Sequence, residues 1–222
     1  MKEYHKINTI FMRDPAKKFK TLLLDQYALP AFEYLRYNNW VFTEKVDGTN
    51  IRVMLPDHRE DGKQFGICFG GKTDEAQIPA TLVRRLEERF HTDAMRVTLA
   101  EMFPEGNACL YGEGYGAKIQ KGGGNYRQDQ DFVLFDVRVA DWWLERSNVE
   151  DIAGKLGLDV VPIIGNGTLG DMASMAAIGF KSTWGDFWAE GIVGRPVCEL
   201  KTRNGDRIIT KIKHKDFQEV PV

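Results

Sequence analysis

Two strand-like runs, residues 40–43 and 51–55, flank the segment Glu44-Lys45-Val46-Asp47-Gly48-Thr49-Asn50. Asp-Gly between runs that mix apolar and polar residues predicts a β-hairpin, because glycine accepts the positive φ of tight turns. That reading commits residues 40–55 to sheet. It also places Lys45 at a strand end, where a lysine loses rotamer freedom and can be held against a pocket as a nucleophile. Most Lys-x-Asp-Gly tetrapeptides are ordinary turns. This one gains its weight from four segments nearer the C-terminus.

Downstream, Pro79 opens a helical pattern through Leu82, Leu86 and Phe90, and a second helix is expected from Thr92 or Asp93 to Met102. Residues 56–63 read as a polar connection and 64–70 as a strand. Strands are expected near residues 108–113 and 132–139. Ser147-Asn148-Val149-Glu150 reads as a capping box opening a helix that Gly157 stops. A small-residue helix is expected over 169–178, then strands over 191–199 and 206–213. Strands outnumber helices, and helices do not alternate regularly with them. The fold class is therefore α+β, with two mainly antiparallel sheets and flanking helices. The first forty residues are mixed and aromatic-rich and are expected to wrap the body. The run Lys121-Gly122-Gly123-Gly124 lacks the context of a dinucleotide fingerprint and reads as a mobile loop.

Composition narrows the class. With 222 residues, 43% hydrophobic and 28% charged, the chain is long enough for a sizeable core and has the make-up of a globular domain. No apolar run suggests a signal peptide or a membrane span, so a cytoplasmic protein with no membrane partner is expected. Cys68, Cys109 and Cys198 fit reduced thiols, each a small core residue. The four histidines are widely scattered and read as structural. A net charge of −2 argues against tight non-specific nucleic-acid binding. Locally, Lys201, Arg203, Arg207, Lys211, Lys213 and Lys215 face one acid, Asp206. That stretch fits either phosphate contact or a lysine-guarded edge strand.

Four short segments carry candidate chemistry. Leu110-Tyr111-Gly112-Glu113-Gly114 ends an apolar strand on a carboxylate, and Phe132 to Val137 sets an aromatic beside an acid. Glu190-Gly191-Ile192-Val193-Gly194-Arg195 surrounds a short strand with an acid and an arginine. In Thr210-Lys211-Ile212-Lys213 the two lysines share a strand face, an unfavourable pairing unless an anion lies with them. A triphosphate is such an anion. Arg52 and Arg195 serve equally as ion-pair partners or phosphate ligands. Together the pieces suit phosphoryl transfer, which depends on positioning and charge neutralisation.

This ordered set, from Lys45 to Lys213, resembles the covalent nucleotidyltransferases: ATP-dependent DNA ligases, RNA ligases and GTP-dependent capping enzymes. Lys45-Val46-Asp47-Gly48-Thr49-Asn50, Gly70-Gly71-Lys72-Thr73-Asp74 and the ending Lys211 to Phe217 are most similar to the phage RNA ligases that repair nicks. The resemblance implies a nucleotidyltransferase core that uses ATP with Mg²⁺ or Mn²⁺. It implies a ligase that forms lysyl-AMP, passes AMP to an RNA 5′-phosphate and joins it to a 3′-hydroxyl. Lys45 would be the nucleophile. Asp47 and Asn50 would support phosphates, metal water or the acceptor end, and Glu113 would meet the ribose or metal shell. Phe135 rather than Phe132 would stack on adenine, Glu190 would organise the metal, and Lys211 and Lys213 would hold the phosphates. Glu44, Val46 and Lys72 would complete the nucleotide site, and Asp47, Glu113 and Glu190 the metal site.

Two departures stand out. Lys72 occupies a position where many of these ligases carry arginine, which keeps charge but loses the bidentate fork. Nine residues follow Lys213 in the 222-residue chain, so a single domain, 1–222, is expected, without the OB-fold or helical domain of related ligases. Substrate grip would then come from a homodimer, an accessory protein or the basic C-terminal stretch. A phage-encoded protein acting in a host cytoplasm fits the resemblance. The rival readings are a small DNA ligase, a guanylyltransferase, and a non-catalytic nucleic-acid-binding module.

Overall fold

A computed structural model describes residues 2–57 and 66–218. The elements run in chain order: β1 (Asn8–Thr9), β2 (Phe11–Arg13), β3 (Leu22–Tyr27), α1 (Pro30–Tyr34), β4 (Trp40–Lys45), β5 (Thr49–Leu55) and β6 (Cys68–Gly70). Next come α2 (Ala80–Phe90), α3 (Asp93–Met102), β7 (Ala108–Gly116), β8 (Gln130–Val139), β9 (Trp142–Trp143) and α4 (Arg146–Leu156). The series ends with β10 (Asp159–Val160), β11 (Ile163–Gly167), α5 (Leu169–Ile178), β12 (Gly191–Pro196) and β13 (Thr210–Lys213). The expected connection over 56–63 and the start of the strand at 64 lie largely outside the described residues. Two compact units result, one of Met1–His5 with Asp47–Val161 and the other of Lys6–Val46 with Pro162–Val222.

The predicted hairpin does not form. β4 pairs with β12 and β11, whereas β5 pairs with β7 and β6, so the two runs belong to different sheets. Gly48 is required for another reason than the one the turn signal suggests. A Cβ there would stand 2.3 Å from the Gly114 carbonyl oxygen, so glycine permits a close approach to β7.

The first unit holds a sheet of order β10-β8-β7-β5-β6, with β9 on β8. Its pairs are antiparallel except β10 with β8. One face packs Ile51, Val53, Leu110, Phe132 and Leu134 against Leu82, Leu86 and Phe90 of α2 and against α3 and α4. The period of α2 and the Thr92 cap of α3 fall where the sequence places them. α4 starts one residue before the expected box and has no side-chain cap. Glu150 instead pairs with Arg146 at 2.7 Å, one turn back, which leaves no box at its N-terminus. Gly157 ends it in the left-handed region, φ 61°. In the glycine run, Gly123 and Gly124 open a 3₁₀ turn, Gly123–Asn125, with Gly123 buried. Cys109 is a core residue, but Cys68, on short β6, and Cys198, past the end of β12, are exposed.

The second unit holds a sheet of order β1-β13-β12-β4-β11 and a β2-β3 ribbon. Trp40, Phe42, Ile192 and Ile212 point to one face, covered by Leu169, Met172 and Ala176 of α5. β13 is internal, between β12 and parallel β1, so its lysines do not guard an edge. α5 carries a capping box, Thr168 with Asp171.

α2 also carries a charged anchor. Arg85 and Arg89 reach Asp131 at 3.2 and 2.8 Å, and Arg127 reaches it at 2.6 Å. Burial pushes this carboxyl up, but the Phe132 amide and the arginines outweigh it and hold Asp131 below the usual carboxylate range. A depressed carboxyl stabilises the fold fully above the unfolded value of about 3.9 and loses that contribution as pH falls through the folded value. Asp131→Asn should cost about 1–3 kcal/mol at pH 7, because it removes the buried charged partner shared by three half-buried arginines. Urea denaturation of both proteins should show the gap narrowing below about pH 4.

Candidate active site

The second unit builds a cationic sheet face from strand alternation. On β4, Glu44 turns to the core side and Lys45 to the other; on β13, Ile212 enters the core between Lys211 and Lys213. Gly191 of β12 pairs with Lys45 on one side and Lys213 on the other. One register row therefore runs Lys45, Gly191, Lys213. Glu190, just ahead of that glycine, supplies the missing side chain. Its Oε2 accepts from Lys45 Nζ and its Oε1 meets Lys213 Nζ at 2.5 Å. The three side chains are only 19%, 11% and 23% exposed, so water screens them weakly. An anion from within the protein therefore already accompanies Lys213, one of the two lysines that share the β13 face. Val193 and Arg195 continue the same face of β12, with Val193 opposite Lys211.

Glu44 is 1% exposed and anchored. It accepts from Ser182 Oγ at 2.5 Å and from the Thr183 amide and hydroxyl, both at 2.9 Å. Val46 is 3% exposed. Ser182 and Thr183 carry no sequence signal that points to this role.

In the first unit, the sheet face opposite the helices collects other predicted residues. Asn50 and Glu113 sit opposite each other on β5 and β7. Asn50 Oδ1 is buried with no hydrogen-bond partner, an acceptor that a ribose hydroxyl or a metal-bound water would satisfy. Asp47 donates its amide N–H to the Tyr126 hydroxyl at 3.1 Å. Phe135 lies at a bulge, where the β7–β8 register shifts between Tyr111 and Gly112. The shift breaks strict alternation: Phe132, Leu134 and Val137 enter the core, and Phe135 is left outside it. Its ring meets Tyr4 edge-on at 5.1 Å, and Tyr4 also contacts Tyr111 and Trp143 and donates its hydroxyl to Asp136 at 2.8 Å. This aromatic group was not visible in the sequence, because Tyr4 is far from the strands it joins. Arg52 is buried and holds the loop bearing exposed Lys72, bonding Gly71 O and Asp74 Oδ1, both at 2.7 Å.

Among the described residues no group of three or more His, Cys, Asp or Glu side chains gathers to hold a metal. Magnesium asks for no such cage; it keeps several waters and takes one or two carboxylates plus substrate phosphates. The donor set around Glu190 and around Asn50–Glu113 fits that demand.

Gly191 is the steric weak point. A Cβ there would lie 2.2 Å from Ile212 O and 2.7 Å from Lys213 Cα, which is backbone that cannot yield. Gly191→Ala should lower stability by about 1–3 kcal/mol, measured by thermal unfolding.

Residues 38–213 match the family RNA ligase. No curated protein matches the sequence. Solved structures do. One is a Naegleria gruberi RNA ligase mutant with ATP and Mn, at 22% identity and TM-score 0.60, covering 83% of this chain and 52% of that one. Another mutant of that ligase with ATP and Mn aligns at 19% identity and TM-score 0.64, covering 96% and 56%. The Naegleria gruberi RNA ligase with PPi aligns at 20% identity and TM-score 0.60, covering 95% and 57%. This chain therefore spans little more than half the length of those ligases. With the family match running from just before β4 through the last residue of β13, the chain belongs to the RNA ligase family.

Proposed function

We propose that the protein is an ATP-dependent RNA ligase working through lysyl-AMP. The observation that carries this reading is the Glu190 carboxylate spanning Lys45 and Lys213 on one sheet row. Lys45 Nζ attacks the α-phosphorus of ATP; a P–N bond forms, the bond to the β-phosphate oxygen breaks, and pyrophosphate leaves. The amine must first give up a proton, and Glu190 Oε2 is the acceptor already in contact. Lys211 and Lys213 neutralise the polyphosphate, and its arrival competes with Glu190 for Lys213. Positioning and charge neutralisation carry most of the catalysis in such transfers.

The first unit would supply nucleoside recognition: Phe135 the base contact, Glu113 and Asn50 the ribose or metal-water contact. Magnesium or manganese would be held by one or two of the carboxylates of Asp47, Glu113 and Glu190 together with substrate phosphates, and would supply further charge neutralisation. The substrate would be RNA with 5′-phosphate and 3′-hydroxyl ends.

Incubation with α-labelled ATP and Mg²⁺, with the products run on a denaturing gel, tests this. Wild type should carry covalent AMP, and Lys45→Ala none. Glu190→Gln should label at least about 100-fold more slowly, since it removes one charge from the shared site. Sealing of nicked RNA should parallel labelling. Label that survives Lys45→Ala, or its absence in wild type, rejects the proposal and favours a binding module. Labelling by GTP but not ATP would point to guanylyl transfer instead.

A further inference from the structure

A cavity of about 610 Å³ in the second unit borders Lys211 and Lys213 but is otherwise built by the chain's first thirty residues. Its cations are Lys6, Arg13, Lys211 and Lys213, and among the described residues no Asp or Glu lines it. Arg13 is held by Asp216 at 2.7 Å, and Lys213 by Glu190 at 2.5 Å. Lys213 thus belongs both to the Lys45 site and to the cavity wall. Another part of the wall is apolar: Phe19 is 60% exposed and Met12 44% exposed. Phe19 and Lys18 both sit in the left-handed region, φ 59° and 53°. In a residue with a bulky side chain that conformation is a strained one.

We infer that this cavity receives the 5′-phosphorylated terminal nucleotide of the RNA strand, its phosphate on Lys6, Lys211 and Lys213 and its base against Phe19 and Met12. The inference rests on the ligase reading, and the chemistry of that reading requires such a site. Two in-line displacements take place at one phosphorus. In the first, Lys45 enters opposite the departing pyrophosphate. In the second, an oxygen of the RNA 5′-phosphate attacks the same phosphorus. The P–N bond breaks, its electron pair returns to Lys45 Nζ, which takes up a proton, and a 5′,5′-diphosphate bond forms. The attacking phosphate must therefore approach on the side that pyrophosphate has left. A bare polyphosphate would use the cations of the wall and leave the apolar part idle. A nucleotide uses both, as single-strand sites pair cations with base-stacking side chains. The volume suits a nucleotide.

Two measurements test it. In the first, fluorescence anisotropy tracks a 5′-phosphorylated and a 5′-hydroxyl oligoribonucleotide binding to the full chain. Lys6→Ala should weaken the phosphorylated strand several-fold and erase its advantage, and Phe19→Ala should weaken both at least about fivefold. In the second, preformed lysyl-AMP protein is discharged by phosphorylated RNA or by pyrophosphate. Phe19→Ala should lower the ratio of RNA-driven to pyrophosphate-driven discharge at least about fivefold. Unchanged RNA binding in both variants, or an unchanged ratio, overturns the inference; the latter marks a bare polyphosphate pocket. Both substitutions fall on exposed side chains, so folding should survive them. If no lysyl-AMP forms, the ligase reading fails, yet the binding measurement still decides what the cavity takes.

Discussion

One carboxylate between two ammonium groups organises the second unit's chemistry. Lys45 and Lys213 stand on strands separated by β12, roughly 10 Å apart at the backbone by ordinary strand spacing. The residue between them is glycine, so no side chain blocks the gap, and Glu190 reaches both. Removing the acid would leave two weakly screened cations facing each other. Removing either lysine would leave part of a carboxylate unpaired. Poorly exposed ion pairs of this kind are costly to break, whatever their net worth to stability. The register of three strands is thus locked to the charge arrangement, and a slip of one residue would turn every one of these groups to the core face.

Strand alternation distributes the work along the same segments. Glu44, Lys45 and Val46 are consecutive, yet the first is pinned by Ser182 and Thr183, the second meets Glu190, and the third is buried. On β13, Ile212 packs against α5 between two lysines that face the other way. The buried neighbours fix the backbone, and the backbone limits where the lysine amines can reach. That is preorganisation achieved by period-two packing rather than by a dedicated scaffold.

Local and period-two signals were legible, and distant ones were not. The helix at 80–90 showed as apolar periodicity, that at 93–102 by its start signal and that at 169–178 as a small-residue run, and the shared face of Lys211 and Lys213 came from spacing alone. The Asp47-Gly48 turn misled because a turn signal reports backbone demand, not which strands pair. β4 finds its partners at 163–167 and 191–196, more than a hundred residues away, and β5 finds one of its own at 108–114. Nothing near Gly48 records that Gly114 needs the space a side chain would fill. The Ser182–Thr183 cradle and the contact of Tyr4 with Phe135 were hidden for the same reason, since each joins residues more than a hundred positions apart.

The bulge at Phe135 shows how a defect in pairing can be a requirement. Strict alternation along β8 would send Phe132, Leu134 and Asp136 to the core face together. Instead the register shift gives the core Val137, keeps Asp136 bonded to the Tyr4 hydroxyl, and leaves Phe135 on the face of Asn50 and Glu113. A carboxylate among Leu86 and Phe90 would have no partner there, and its burial would cost several kcal/mol. The extra residue resolves that conflict. Phe135 keeps the face that alternation gives it, and that face also carries the buried, unsatisfied amide oxygen of Asn50, an acceptor that a hydroxyl can satisfy.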